Sequence, residues 1–514
     1  MERLVLKTLW EPAALFPPSR FAFSGSPSAA TVGGGAPSFT SMTSVASLPT
    51  DPLPNRDRSY PGARGALVLL LLINLFNYID RNVLAAVVPW IKESFFGANG
   101  AAGGGGSALA GMLDWSQRHL GFKPENALIG ILGSAFMVVY TVGAPVFGRL
   151  AERYSRWVLV ALGVILWSLA SGASGLATTF MMLLLTRCFI GIGEAAYGPV
   201  APSLISDFYP VRIRGQVLAW FYMAIPVGSA LGYVLGETVA KSGLGPWSAR
   251  ALGVSPESWR WAFYLVVIPG LVLGAWSFFM REPPRGQADL AQAAPAAAVR
   301  WRDYRRFLRT PSYVFCTLGM TAMTFAIGGM AFWMPYYVQH RPGTGGAPIT
   351  TFGAIVVVAG LTATYLGGLT GDKLRARFPG SYFLVSGAAM LAGFPFFLAA
   401  LKAPFPLGWV LIFLACFCLF FNTGPSNAIL ANVTHPSMRA AGFALSIFVT
   451  HALGDVISPV VIGVLSDRYS MEIGFVVVGV MFLVAGVLWL CGAPFLQRDT
   501  ERAPQIFTDA SRPV

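Results

Sequence analysis

Charged residues are scarce in this chain of 514 residues: they make up 11% of it, whereas a soluble domain carries about 25%. Hydrophobic residues make up 55%, and the mean hydropathy is +0.61. Apolar side chains in this proportion outnumber the interior sites of a water-soluble fold. The composition therefore excludes a water-soluble enzyme and indicates a membrane protein.

The sequence also has few cysteines and lacks the common nucleotide-binding and zinc-binding motifs. The sequence has no Walker loop, so drive by ATP hydrolysis is not expected. No second cysteine pair accompanies Cys416 and Cys418, which argues against zinc. We expect no metal site, no cofactor and no disulfide framework. All five cysteines lie in hydrophobic runs, where cysteine packs as a small apolar residue: Cys188, Cys316, Cys416, Cys418 and Cys491.

What the sequence does contain is long hydrophobic runs. A run of about 20 residues crosses the ~30 Å hydrocarbon core of a bilayer as a helix. The chain has twelve such runs, which predicts an all-α protein with twelve membrane-spanning helices. Their approximate bounds are Leu67–Phe96, Asn126–Leu150, Trp157–Leu176, Phe180–Phe208, Gln216–Ala240, Trp259–Phe279, Tyr313–Tyr337, Thr351–Leu369, Tyr382–Ala400, Leu407–Val433, Gly442–Leu465 and Ile473–Phe495.

The net charge of +13 reports topology rather than a nucleic-acid partner. Basic residues concentrate in loops on the cytoplasmic side of a membrane. Here they cluster after the even-numbered runs, and the other loops hold few of them. Both termini are therefore predicted to be cytoplasmic, and no nucleic-acid binding is expected. The basic loops hold Arg149, Arg153 and Arg156, then Arg212 and Arg214, the arginines from Arg281 to Arg309, then Lys373, Arg375 and Arg377, and Arg439.

Three pairs of matched features reveal an internal repeat. A charged segment that begins with glycine closes the second run at Gly148 and the eighth at Gly368, an offset of 220 residues. Gly-Pro pairs in the fourth and tenth runs, and Arg-x-x-Gly segments that begin the fifth and eleventh, repeat at offsets of 226 and 227. The chain is predicted to fold as two pseudo-symmetric halves of six helices each.

This repeat sets the predicted domain organisation. Residues 66–281 form the N-terminal six-helix bundle and residues 311–497 form the C-terminal one. An arginine-rich cytoplasmic linker, residues 282–310, joins them. Residues 1–65 are a disordered cytoplasmic tail, because their Ser, Pro, Gly and Ala content disfavours a packed core, and residues 498–514 form a second tail. A signal peptide is the alternative for the N-terminus, but Lys7 and Glu11 interrupt its apolar stretch.

The charged segment after the second run resembles the inner-loop motif of major facilitator superfamily transporters, and it recurs after the eighth run. Glu152 stands where that family has Asp and Ser155 where it has Gly, but a carboxylate beside arginines is retained. The resemblance implies the fold of that superfamily and an inner gate that locks one half against the other. The gate residues are Gly148, Glu152, Arg153 and Arg156 in the first copy, and Gly368, Asp372 and Lys373 in the second.

Four further motifs resemble the Spinster branch of that superfamily. They are Asn77-Tyr-Ile-Asp80-Arg81, then Arg187 with Gly191-Ile-Gly193-Glu194-Ala195, then the segment from Phe221 to Tyr233, and His451-Ala-Leu-Gly454-Asp455 with Ser458-Pro459. The resemblance implies a monomeric, proton-coupled secondary transporter that works by alternating access. Its cargo would be an amphipathic lipid, a lysophospholipid or a phosphorylated sphingoid base.

Two other functions stay open at the sequence level. One is transport of an organic anion or a drug-like amphiphile by the same fold. The other is a membrane receptor or scaffold, which would not need the gate motif in both halves. The Ala/Gly-rich composition and short loops favour a bacterium and its cytoplasmic membrane.

Four charged residues fall in the middle of hydrophobic runs: Asp80, Arg81, Arg187 and Glu194. Each costs about 2.5–3.5 kcal/mol at the centre of a membrane helix on insertion scales, so function is the default explanation. Asp80 and Arg81 are one residue apart and therefore point in directions about 100° apart. Asn77 lies one turn before Arg81, on the same face.

We interpret Asp80 and Glu194 as the proton carriers and Arg81 and Arg187 as their exchangeable partners. Desolvation opposes ionisation of a carboxylate and a nearby arginine favours it, so making and breaking a pair would bind and release a proton. Two alternatives stay open: a permanent ion-pair network that only fixes helix register, and an arginine that binds the phosphate or carboxylate of the substrate.

The second half carries fewer charges in its spans. Met330, Trp333 and Tyr337 recur at helical spacing, which fits an apolar cavity wall for a lipid tail or a plain core stripe. Asn422 and Asn427 flank a Gly-Pro bend and are predicted to face the cavity.

One polar pair stands out in the eleventh run. His451 and Asp455 are four residues apart on one helix face, which fits a hydrogen bond between the two side chains at the helix interface or a second protonation site. No third ligand for a metal lies nearby in the sequence.

Overall fold

The computed structural model describes residues 59–97, 106–253, 255–285, 301–435 and 438–503, and within these ranges the chain is helical with no strands. Twelve helices are long and apolar enough to cross a membrane, so the predicted number of spans is confirmed. They are α1 (Ala63–Phe96), α2 (Glu125–Arg153), α3 (Arg156–Gly175), α4 (Phe180–Phe208), α5 (Arg212–Ala240), α6 (Trp259–Ser277), α7 (Pro311–Gln339), α8 (Pro348–Arg375), α9 (Ser381–Lys402), α10 (Leu407–Val433), α11 (Ala441–Arg468) and α12 (Met471–Arg502).

Three shorter helices lie between the spans: Gly106–Leu120, Leu244–Leu252 and Trp301–Leu308. α1 begins at Ala63, three residues inside the predicted N-terminal tail, and α12 extends to Arg502. Residues 1–58 of that tail and residues 286–300 of the predicted linker lie outside the described residues.

Three spans are interrupted part-way across. α4 consists of Phe180–Tyr197 and Val200–Phe208, separated by Gly198 and Pro199. Proline has no N–H to donate and its ring crowds the preceding turn, so it ends one helix and starts the next. α10 is interrupted at residues 421–422 and α11 at residues 454–457. Such breaks free backbone groups inside the membrane and are typical of transport sites.

Small residues bring α5 against α1. A Cβ added to Gly228 would lie 2.6 Å from the Leu75 carbonyl oxygen, and one added to Gly232 would lie 2.5 Å from that of Ile79. Only glycine permits this approach, and close backbone contact is how membrane helices gain packing energy. The contact fixes the rotation of α1, because Asn74 donates to the Phe221 carbonyl at 2.9 Å. The charged residues of α1 therefore project in fixed directions.

We call the ends of the spans beside the basic loops the inner ends, and the opposite ends the outer ends. Arg156 ties three elements together at the inner end of the N-terminal half. Its guanidinium lies 2.5 Å from Asp207 of α4 and 2.8 Å from Glu282, which follows α6, and its backbone N–H donates to Glu282 at 3.0 Å. Burial opposes ionisation of Glu282, but hydrogen bonds from Arg156 and Ser155 outweigh it, so the pKa of Glu282 lies below its usual value. This contribution to stability is present above the usual pKa and is lost as the pH falls through the lowered one.

The two halves meet at their outer ends. α2 contacts α11 there and α5 contacts α8. Hydrogen bonds between the halves join Asn126 and Ala127 to Asp467, Thr350 to Glu237, and Tyr233 to the Ala331 carbonyl.

The inner-gate residues lie apart from this interface. Glu152, Arg153, Asp372 and Lys373 are exposed, and Gly148 and Gly368 have open space where a Cβ would stand. Arg156 does not join the halves in this conformation, because its buried guanidinium binds carboxylates of its own half; its role in an inner gate stays a prediction. With the outer ends joined and the gate residues exposed, the arrangement is open toward the inner side.

The Arg156 contacts give a prediction about stability. Arg156→Met removes the buried guanidinium that Asp207 and Glu282 share, and removing one member of a buried ion pair costs about 3–5 kcal/mol. We expect a clear drop in the thermal unfolding temperature of the detergent-purified protein. The matched control is Arg153→Met, an exposed position in the same motif, where the change is within about 0.5 kcal/mol. An equal drop for both variants would contradict the assignment.

Candidate functional site

An ion pair between α1 and α4 lies at the centre of the N-terminal half. Arg81 Nε donates to Glu194 Oε2 at 2.5 Å, and Arg81 Nη2 lies 2.5 Å from the same oxygen. The Glu194 side chain is 1% exposed and that of Arg81 is 17% exposed. Charges this deeply buried attract each other far more strongly than in water. The pair therefore presents one face of a guanidinium to open space and keeps its carboxylate enclosed.

Three aromatic rings surround the Arg81 guanidinium. Its carbon lies 5.0 Å from the ring centre of Tyr78, 4.9 Å from that of Phe136 and 5.0 Å from that of Tyr140. Each distance is within the ~6 Å range of a cation–π interaction, which strengthens as water is removed. These three rings, which we call the arginine cage, continue to contact Arg81 if its hydrogen bond to Glu194 breaks. Such a cation is poised to exchange one anionic partner for another.

A second charged cluster lies behind the first, between α1, α3 and α4. Ser171 donates a short hydrogen bond to Asp80, and Arg187 Nη2 donates to Ser174 at 2.6 Å. The Arg187 guanidinium also lies 5.2 Å from the ring centre of Phe263. Arg187 interacts electrostatically with Asp80, but the two make no ion pair within 4.0 Å. The structure thus brings all four charged residues into two adjacent clusters, with Arg81 and Asp80 pointing to different sides of α1.

Four buried polar atoms in these clusters have no hydrogen-bond partner among the described residues: Asn77 Nδ2, Asp80 Oδ2, Arg187 Nε and Glu194 Oε1. A buried polar atom left unpaired costs about 1–3 kcal/mol. Four such atoms at one place destabilise the fold, so a role in folding does not explain them. They are available to bind a proton, a water molecule or a ligand.

The Arg81–Glu194 pair borders a cavity between α1, α2, α4 and α5. Polar and apolar surface alternate in it, because α1 contributes amides and the arginine while α5 contributes aromatic and aliphatic side chains. An amphipathic molecule matches such a lining better than a fully polar one. The residues that line it are Asn74, Asn77, Tyr78, Arg81, Tyr140, Glu194, Tyr197, Gly198, Pro202, Phe221, Tyr222 and Ile225.

The predicted cavity wall on α7 is wrong. Met330 is 4%, Trp333 0% and Tyr337 4% exposed, all inside the core of the C-terminal half. The Trp333 indole donates to the Pro459 carbonyl at 2.8 Å, and the Tyr337 hydroxyl donates to the Leu401 carbonyl at 2.9 Å. Helical spacing identifies a common face but not its neighbour, and here that face packs on α9, α11 and α12. The core-stripe alternative is the one observed.

The two asparagines of α10 have different surroundings. Asn422 is 0% exposed and its amide donates to the Leu419 carbonyl at 2.7 Å, so it supports the break in α10 and does not reach the cavity. The prediction for Asn422 is wrong because its amide serves the interrupted backbone. Asn427 is exposed, with its amide donating to the Thr423 carbonyl at 2.8 Å.

His451 and Asp455 meet at the break in α11. His451 Nδ1 lies 3.0 Å and 2.9 Å from the two carboxylate oxygens of Asp455, and the side chains are 32% and 14% exposed. The predicted hydrogen bond between His451 and Asp455 is therefore confirmed, and their role as a second protonation site stays a prediction. Asp455 also interacts electrostatically with Tyr140 of the arginine cage. The pair therefore faces the charged site from the other half.

Sequence reasoning missed several residues of the site. Phe136 and Tyr140 complete the cage from α2, and their spacing of four residues was an available signal. Tyr78 lies inside the motif around Asp80, but aromatic residues are common in membrane helices, so its position alone does not indicate a site. Ser171 could not be found, because a lone serine in an apolar helix gives no pattern.

Comparison with known proteins identifies the class. Residues 70–454 match the Major Facilitator Superfamily. A bacterial homologue of the human lysosomal transporter Spinster, solved in an inward-facing and unoccupied conformation, superposes with a TM-score of 0.72 at 22% identity, over 86% of this chain and 99% of that one. The chain is therefore a multi-pass membrane transporter with the fold of this superfamily, not an enzyme.

Curated relatives narrow the class to a family. The chain is 30% identical over 479 residues to protein spinster homolog 3 of Danio rerio, covering 87% of this chain and 88% of that protein. It is 32% identical to protein spinster homolog 1 of Homo sapiens, over 86% and 83%, and 31% identical to the sphingosine-1-phosphate transporter SPNS2 of Mus musculus, over 85% and 78%. The chain belongs to the Spinster family.

The Arg81–Glu194 pair gives a prediction that a double-mutant cycle can test. Arg81→Gln and Glu194→Gln each leave a buried charge alone, whereas the double variant leaves none, so the losses are not additive. We expect a coupling energy of about 1–3 kcal/mol from unfolding in detergent. The control cycle uses Lys92 and Glu125, which lie 3.7 Å apart with side chains 21% and 26% exposed, and should couple by less than about 1 kcal/mol. Additive losses at Arg81 and Glu194 would refute a paired site.

Proposed function

We propose that this chain is a proton-coupled transporter of an amphipathic lipid with an anionic head group, a lysophospholipid or a phosphorylated sphingoid base. The observation that carries the proposal is the buried Arg81–Glu194 pair, whose guanidinium is caged by aromatic rings and borders a cavity. A caged guanidinium with one exposed face suits a phosphate, because it offers several N–H donors in a fixed plane.

Proton coupling follows from the competition for Arg81. While Glu194 is ionised, its Oε2 accepts a hydrogen bond from Arg81 Nε at 2.5 Å, so the guanidinium already has an anionic partner. A proton on Glu194 removes its charge and frees Arg81 for the phosphate of the substrate; loss of that proton restores the pair and displaces the head group. Substrate and proton are thereby coupled through one cation. Asn77, whose amide nitrogen lacks a partner, lies beside this exchange and can donate to either anion.

Asp80 and Arg187 are proposed to extend the same mechanism. Asp80 has one oxygen held by Ser171 and one without a partner, so it can hold a proton that Glu194 has released. The Arg187 charge interacts electrostatically with both carboxylates. Movement of α1 relative to α3 and α4 would change which carboxylate is neutral. His451 and Asp455 are proposed as a further protonation site, because they face this region from the second half.

The apolar part of the substrate is assigned to α5 rather than α7. Tyr222 is 49% exposed, and with Phe221 and Ile225 it lines the cavity beside Arg81. A lipid tail in contact with this surface leaves its head group within reach of the caged arginine. The named cargo of the Mus musculus relative, sphingosine-1-phosphate, has this division into an apolar tail and a phosphate.

The membrane orientation completes the proposal. Basic loops flank the inner ends of the spans, and by the positive-inside rule this supports cytoplasmic termini. We propose that the protein acts as a monomer in the cytoplasmic membrane of a bacterium, with the proton gradient as its energy source and no bound cofactor. Its partners would then be the lipid cargo, protons and the bilayer.

Transport in liposomes tests the proposal. We expect uptake of a labelled lysophospholipid or sphingosine-1-phosphate that rises with an imposed pH gradient. Glu194→Gln is neutral at every pH, so it should abolish proton-driven uptake while leaving exchange of labelled for unlabelled lipid intact. Glu93→Gln, at an exposed position of α1, should retain both.

Three results would overturn parts of the proposal. Unchanged pH dependence in Glu194→Gln would remove the coupling mechanism. Uptake of organic anions without an acyl chain, in place of the lipids, would favour the anion or drug-like alternative. No transport of either class by the wild-type chain would contradict the substrate assignment.

A further inference from the structure

Two helices at the interface between the halves begin without a cap of their own. The residues that precede α2 and α8 are Pro124 and Ala347, and neither makes a side-chain cap. The first N–H groups of a helix have no partner within the helix, and a side-chain oxygen just before it normally satisfies one. Proline and alanine have no such oxygen. Both helices therefore depend on an acceptor from elsewhere.

The acceptor for α2 comes from the opposite half. Asp467 of α11 accepts from the Asn126 N–H at 2.9 Å with Oδ1 and from the Ala127 N–H at 2.8 Å with Oδ2. These are the second and third residues of α2, the positions that an N-cap side chain satisfies. The carboxylate also lies at the positive end of the helix dipole. Asp467 thus caps a helix that belongs to the other half.

The acceptor for α8 comes from the N-terminal half in the same way. Glu237 of α5 is 1% exposed and accepts from the Thr350 N–H at 2.6 Å with Oε2. Its other oxygen accepts from Lys241 at 2.6 Å, and Lys241 also donates to the Gly346 carbonyl at 2.8 Å. Thr350 is the third residue of α8. The helix start is therefore held by a buried carboxylate and its lysine.

The two caps follow the internal repeat. α2 and α8 are the second spans of their halves, and α5 and α11 are the fifth. Each half therefore lends a carboxylate from its fifth span to the second span of its partner. A Cβ added to Gly130 of α2 would lie 2.5 Å from the Pro459 carbonyl oxygen, so the backbones touch beside one cap. Packing this close restricts the access of water to the start of α2 while the outer ends are together.

We propose that Asp467 and Glu237 are the two arms of an outer latch, which holds the transporter open toward the inner side by capping helices across the interface. Donor and acceptor lie in different halves, so separating the outer ends breaks both caps at once. Because α2 and α8 lack caps of their own, their first N–H groups then lose protein partners and must turn to water. The absence of a local cap thereby adds to the free energy of the outward-open state. This latch does not depend on which substrate is carried.

Distances between spin labels measure the latch directly. Labels at positions 153 and 373, both exposed at the inner ends, are far apart when the inner side is open and close together when it is closed. Labels at positions 123 and 472, both exposed at the outer ends, report the reverse. The native cysteines that are not buried, Cys188, Cys418 and Cys491, are replaced by Ser in every chain that is compared.

Volume-matched substitutions weaken each arm. Asp467→Asn and Glu237→Gln each lose the charge that faces the helix dipole and replace one acceptor oxygen by a donor, and loss of one hydrogen bond costs about 1 kcal/mol. We expect each to raise the ratio of outward-open to inward-open molecules about fivefold, and the double variant to approach the product of the two ratios. The matched control is Glu257→Gln, a carboxylate at the outer end whose partners Ser94, Ser255 and Arg260 belong to its own half. Unchanged ratios, or an equal shift in the control, would refute the latch.

A second pair of variants leaves both native carboxylates in place. It therefore tests the latch even if Asp467→Asn or Glu237→Gln does not fold. Pro124→Ser and Ala347→Ser give α2 and α8 caps of their own, which remain available when the outer ends separate. We expect each to shift the population toward the outward-open state, although nothing in the latch has been removed. A shift toward the inward-open state, or none, would contradict the proposal that the missing local caps matter.

Discussion

The structure depends on one constraint: a charge inside the membrane must be held by something other than water. Arg81 is held by an ion pair with Glu194 and by three aromatic rings, and Asp80 and Arg187 are held by hydrogen bonds to hydroxyl groups of α3. Hydroxyl groups and rings compensate a charge only in part, which is why unpaired polar atoms remain. An incompletely satisfied buried network is costly to keep and easy to rearrange. Those two properties are what a site that alternates between partners requires.

Close backbone packing keeps this network in register. Glycines of α5 lie against α1, so the helix that carries Asp80 and Arg81 cannot rotate to bury them differently. At the inner end, Arg156 joins α3 to α4 and to the segment after α6, which makes the N-terminal half behave as one body. Rigid halves concentrate movement at the interface between them. The outer contacts of α2 with α11 and of α5 with α8 are therefore where a change of state must occur.

The predictions that succeeded and those that failed differ in the kind of information they needed. Twelve spans and the Spinster family follow from hydropathy and from motifs that are local in sequence. The cavity wall on α7 failed because periodicity defines a face without its neighbour, and Trp333 and Tyr337 turn out to bond to α11 and α9. The contacts of Arg156 were not predicted for a related reason: its two carboxylate partners lie 51 and 126 residues away in the chain. No short-range pattern contains such contacts.

By itself the sequence determined that the chain spans a membrane twelve times, repeats after six spans and carries four charged residues in the middle of its hydrophobic runs. These are properties of composition and order, and they follow from the cost of burying polar groups in hydrocarbon. Only the tertiary structure decided that Glu194, and not Asp80, pairs with Arg81, and that Phe136 and Tyr140 cage the cation. It also decided that Asp467 and Glu237 cap helices of the opposite half. Pairings across helices depend on rotation and depth, which are fixed by packing between segments far apart in the chain.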